Sequence, residues 1–149
     1  MLQRKQRVFD APREFVFKLF KEPEYLKRWW GTHGWELPVC NIDFRPGGVW
    51  HYCMKCVDQN QEEYGMESWN KTIYKEIVEP EKIVYTDYFS DKDGNINEAM
   101  PAPEVTMEFI DLGAGSIFLV CPLYNGKVVV TCSLKNNCWT TTAVLFYFL

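Results

Sequence analysis

The period of the apolar residues changes once along this chain, and that change sets what the chain can become. Before Gly31 they recur every three or four positions: Phe15, Val16, Leu19 and Phe20, then Tyr25, Leu26, Trp29 and Trp30. That spacing predicts two short amphipathic helices. Asp10-Ala11-Pro12 offers an N-cap and a first-turn proline. Glu22-Pro23 breaks the first helix and starts the second, and Gly31 ends it. From Glu36 onward apolar and polar residues mostly alternate, which predicts strands.

The predicted strands cover Gln3–Phe9 before the helices and Glu36–Phe44, Gly48–Val57, Met66–Val78, Lys82–Phe89, Pro103–Leu112 and Ser116–Cys121 after them. Gly47-Gly48 supplies the positive φ that a tight turn between the first two long strands needs. Glu79-Pro80-Glu81, Asp91-Lys92-Asp93-Gly94-Asn95 and Gly113-Ala114-Gly115 make further turns. Strand, helix, helix and six strands joined mostly by hairpin links predict an α+β fold with an antiparallel sheet.

At 149 residues the chain forms one core that buries roughly 68–70% of its unfolded surface. A net charge of −4 argues against a nucleic-acid partner, which leaves a basic footprint. No apolar run reaches the roughly 18 residues of a membrane span, and the basic N-terminus has no apolar segment behind it. These features point to a cytoplasmic protein with its six cysteines reduced.

Cys53 and Cys56 form a CxxC pair beside His51, a spacing shared with zinc and redox sites. On a strand, residues three apart point to opposite faces, so the two thiols are not expected to share a metal. The same alternation puts His51 opposite Trp50, Tyr52 and Met54, toward solvent. Glu76, Glu79, Glu81, Asp87, Asp91 and Asp93 fall at strand ends and turns and read as a solvated face. No catalytic residue, metal site or cofactor is assigned.

Four segments, VFDAPREFVFKLFKEPEYLKRWWG, DFRPGGVWHYCMK, YKEIVEPEKIVYTDYF and PEVTMEFIDLGAGS, occur in an order that resembles the activator of heat-shock protein 90 ATPase homologue family. The resemblance covers about residues 6 to 120. That family belongs to the START-like, SRPBCC or helix-grip superfamily, whose fold is a strand, two helices, six strands and a long C-terminal helix. It implies an antiparallel sheet wrapped on that helix, with an apolar cavity between them. It also implies a module binding a small hydrophobic ligand, with Trp30, Trp50, Tyr52, Trp69, Ile73 and Tyr85 as the expected cavity wall.

Two alternatives stay open at this point. One is a co-chaperone that stimulates the heat-shock protein 90 ATPase. The other is a polyketide cyclase or dehydratase-like enzyme, for which His33, Tyr52 and Tyr85 are the nameable polar groups.

The chain departs from the family at its end. Acidic residues stop at Asp111, and the tail from Cys121 is β-branched and aromatic, a poor helix former. The reading is therefore a START-like domain over 1–122 and an atypical tail over 123–149 in place of the usual helix. Without that helix an apolar sheet face stands open. The tail must cover it as strands, or the chain must form a homodimer or bind something there.

Overall fold

The computed structural model describes residues 3–9, 11–112 and 128–135. Its elements run β1 (Gln3–Phe9), α1 (Arg13–Leu19), α2 (Pro23–Trp29), β2 (Trp35–Ile42), β3 (Val49–Cys56), β4 (Glu67–Val78), β5 (Lys82–Phe89), β6 (Glu104–Asp111) and β7 (Val128–Lys135). The seven strands form one antiparallel sheet in the order β1-β7-β6-β5-β4-β3-β2. The strands on either side of the helix pair are thus its two edges, and α1 and α2 carry the chain from one edge to the other. The face they pack against is called the inner face below.

Each helix is seven residues long, too short to persist by propensity alone, so burial holds them. Pro12 caps α1 without a side-chain bond, while Glu14 and Lys18 complement its dipole. Asp10, the expected cap, lies outside the described residues. Val16, Phe17 and Phe20 turn inward, and Phe17 and Phe20 meet Phe109 of β6 at 5.0 and 5.2 Å between ring centroids. Phe15, expected on the buried face, is 44% exposed and rests on Tyr25. The buried stripe is turned toward Phe17 because β6 lies beneath it. In α2, Pro23 occupies the first turn, Leu26 and Trp30 are buried, and Gly31 leaves the helix at φ 122°.

Expected and observed strands agree within one or two residues from β1 to β6. The strand expected at Ser116–Cys121 lies outside the described residues. The tail instead contributes β7, which pairs with both β1 and β6. Among the described residues no helix follows α2.

Register places Trp50, Tyr52 and Met54 of β3, Asn70, Thr72 and Tyr74 of β4, Ile83, Tyr85 and Asp87 of β5, and Val105, Met107 and Phe109 of β6 on the inner face. A bulge between Tyr74 and Glu76 then turns Ile77 back toward the core, opposite Ile83. The outer face carries His51, Cys53, Trp69, Lys71 and Ile73. The Asp91–Asn97 turn folds against it: Lys71 Nζ donates to the Gly94 carbonyl at 3.1 Å, and His51 Nε2 lies 3.1 Å from the Asp91 carbonyl.

Candidate functional site

Of the six expected wall residues, the inner face brings together four. Trp30 lies 4.6 Å from Trp50 and 5.8 Å from Tyr52, and Trp50 stacks on Tyr52 at 4.3 Å. Tyr85 joins them through Tyr74 at 6.2 Å. All four are buried. Edge-to-face and stacked rings of this kind add about 0.5–1.5 kcal/mol per pair beyond their area.

Trp69 and Ile73 are corrections. They stand opposite Cys53 and Val49 on the outer face, where the Trp69 ring lies 5.2 Å from that of His51 and its Nε1 donates to Glu67 at 3.3 Å. The residues that take their place inside are polar: Asn70 and Thr72, both fully buried. Strand β4 therefore runs against hydrophobic alternation, with its tryptophan out and its amide and hydroxyl in.

The reason sits one strand over. Asp87, expected on a solvated face, is only 4% exposed and stands directly opposite Thr72. Thr72 Oγ1 donates to its carboxylate at 2.8 Å, and the Tyr52 hydroxyl approaches it at 3.3 Å, long for such a bond. Burial pushes the Asp87 carboxyl up from its ordinary 3.8 to about 6, against the pull of these two donors. Tyr52 is raised well above its ordinary value by its own burial and by the neighbouring carboxylate, so its phenol stays protonated. Removing that donor in Tyr52→Phe should cost about 1 kcal/mol and raise the Asp87 carboxyl further. Urea unfolding of the two proteins measures the first, and carbon-13 NMR titration of the carboxyl the second.

Sequence alternation does carry a signal for this cluster. Asp87 is two residues from Tyr85 and four from Ile83, the same parity on an uninterrupted strand.

Around the cluster several donors lack acceptors. The indole N–H of Trp30 faces the Tyr52 hydroxyl, and that of Trp50 the Cys40 thiol, each outside hydrogen-bond geometry; the Asn70 amide nitrogen also has no partner among the described residues. A small interior void of about 10 Å³ opens between Phe20, Trp30, Trp50, Tyr74, Ile83, Tyr85 and Met107. On its other side Trp30 walls a surface cleft of about 530 Å³ formed by the end of α2, the Gly31–Gly34 turn and the start of β2. Trp30 thus lines both the cleft and the small interior void.

The rim of that cleft is fixed. Gln61 Nε2 donates to the His33 carbonyl at 2.8 Å, and the backbone amides of Val57 and Asp58 donate to the Gly34 carbonyl. His33 itself is exposed. Gly34 sits at φ 81° with Asp58 and Gln61 2.6 Å from where a Cβ would lie, so no other residue fits there without moving that contact.

The two CxxC thiols point to opposite faces of β3 and are both buried. Cys56 Sγ reaches the Gln61 side chain at 3.6 Å, and burial raises the Cys53 thiol to about 11. At that value Cys53 carries almost no thiolate near neutrality, the form a nucleophile or metal ligand requires. No group of three or more metal-binding side chains occurs among the described residues, and no helix of theirs is long and apolar enough to cross a membrane.

No curated protein matches this chain. Solved structures do. A protein from Arthrobacter aurescens is 20% identical, with 97% of this chain and 73% of that one covered and a TM-score of 0.70. One from Nitrosomonas europaea is 18% identical over 91% and 75%, with a TM-score of 0.61. The AHSA1 protein from Silicibacter pomeroyi is 17% identical over 99% and 87%, with a TM-score of 0.62. At such identities these likenesses establish the fold, an α+β helix-grip fold of the START-like kind. The family model described as "Activator of Hsp90 ATPase homolog 1-like protein" matches residues 10–121, most of the chain, and to that family this chain belongs.

Proposed function

We propose that the chain is a START-like module that binds a small apolar or amphipathic ligand against Trp30, Trp50, Tyr52 and Tyr85. The observation that carries this reading is the pair of buried indole N–H groups, on Trp30 and Trp50, which face the Tyr52 hydroxyl and the Cys40 thiol without a well-formed hydrogen bond to any described residue. A buried donor without a partner costs about 1–3 kcal/mol, and folded chains rarely retain one without a use. A ligand carrying an acceptor atom would give such a donor a partner.

The interior void is far too small for such a ligand, so binding requires Trp30 to swing from its place between cleft and interior. Trp30 is the C-cap of α2, directly before Gly31, with its amide on the Leu26 carbonyl at 2.8 Å. Titration with a medium-chain fatty acid, a long-chain alcohol, a sterol and a flavonoid should give a saturable change in tryptophan fluorescence with at least one of them. No saturable response across that panel overturns the reading.

Family membership supports a second reading, stimulation of the heat-shock protein 90 ATPase. Unchanged ATPase rates in the presence of the chain, with no complex recovered, would remove it.

A further inference from the structure

Two cations, Lys27 and Arg28, line the cleft outside Trp30. Arg13, Lys21, Arg45, Lys55, Lys75 and Lys82 each stand within 4 Å of a carboxylate. Lys27 and Arg28 have no carboxylate partner among the described residues, a state they share with Lys18, Lys71 and Lys92, but they alone of these five line the cleft. Glu36 and His33 also line the cleft.

Two kinds of group therefore converge on the Trp30 wall. Outside, on α2, are two cations without a carboxylate partner among the described residues; inside are indole donors that no described residue satisfies. Both await electron-rich oxygen atoms, and the surface between them is aromatic. We propose that the ligand is an organic anion, a carboxylate amphiphile, whose head group sits at Lys27 and Arg28 and whose apolar body passes Trp30 into the aromatic interior. This rests on the ligand-binding reading above and names the chemical class of its ligand.

The charge on the ligand is then the variable to test. Decanoate and 1-decanol share a chain and differ in the head, and isothermal titration calorimetry reads both against the intact chain. Decanoate should bind more tightly than 1-decanol at 50 mM salt. Two exposed cations acting on one carboxylate support a preference of roughly tenfold, and screening should shrink it at 500 mM. In a Lys27→Gln, Arg28→Gln double variant the ratio of the two affinities should fall toward one. Both side chains are exposed, so an unchanged circular-dichroism melt confirms that the variant is folded.

Equal binding of the two ligands, or a ratio untouched by the double variant, overturns the head-group assignment and leaves the ligand-binding reading standing. Binding of neither overturns this proposal, and the ligand-binding reading falls with it only if the sterol and the flavonoid also give no response.

Discussion

Replacing Gly48 by alanine is expected to destabilise the chain by about 3–4 kcal/mol, more than replacing Gly47, although both glycines belong to one turn. A Cβ on Gly48 would lie 2.0 Å from the Asp43 carbonyl oxygen and 2.9 Å from that of Arg45. Both are backbone atoms, and neither can rotate aside. The Asp43 carbonyl already accepts the Arg45 amide at 3.0 Å, and the Gly48 amide donates to the Arg45 carbonyl at 2.8 Å. Relieving the overlap breaks one of these bonds or pulls the Gly48 carbonyl away from the Tyr74 amide, at 3.0 Å on β4. The strain would pass from the β2–β3 turn directly into the strand that carries Thr72.

Gly47 is different. Its φ is 78°, which favours glycine, but a Cβ there would meet nothing within 4 Å. Alanine at 47 should cost about 1 kcal/mol, the ordinary penalty of left-handed backbone. Urea unfolding of the two variants compares them directly. If Gly48→Ala is no worse than Gly47→Ala, the steric account of the turn is wrong.

That turn also shows how much of this fold can be read from the chain. Two adjacent glycines between alternating runs announce a hairpin, and the alternation on β3 correctly places Trp50, Tyr52 and Met54 inside and His51 outside. What the pair does not announce is its division of labour, since a positive φ and a missing Cβ look alike in sequence. On β4 the pattern misleads, because Trp69 and Ile73 outweigh Asn70 and Thr72 in hydrophobicity. Their placement is decided by the neighbouring strand, whose carboxylate needs donors facing it, and by a bulge near Lys75 that resets the parity before Ile77. The burial of Trp50, Tyr52 and Tyr85 was legible because each lies on a strand with unbroken alternation, and that of Trp30 because it continues the spacing of the helix it caps. The cleft was not, because it is made by the end of a helix and a turn, which no periodicity describes.

Asp87→Asn should reverse the usual direction of a core substitution, and its effect should depend on pH. The carboxyl moves from its ordinary 3.8 to about 6 on folding, so near neutrality its charge lowers stability by about 3 kcal/mol. Between those two values the folded chain binds a proton that the unfolded chain does not, so this group's contribution falls as the pH rises. The penalty is fully present above about 6 and absent below about 4.

Asparagine removes the charge and keeps an oxygen for the Thr72 hydroxyl, so at pH 7 the variant should equal or exceed the wild type, by up to about 2 kcal/mol. At pH 4.5, where the native carboxyl is protonated, that advantage should vanish. Asp87→Ala provides the contrast. It strands the Thr72 and Tyr52 hydroxyls over a new void and should lose about 3 kcal/mol at pH 7. Urea midpoints of the three proteins from pH 4.5 to 7.5 measure all of this, and the difference between wild type and Asn variant cancels the titration of the other acids. Curves that stay parallel across that range would mean that the carboxyl titrates alike in folded and unfolded chains, and that Asp87 is not held in the buried site drawn here. Curves that converge on acidification would make Asp87 a charge the fold retains at a loss of stability, on the face where the indole N–H groups of Trp30 and Trp50 lack a partner among the described residues.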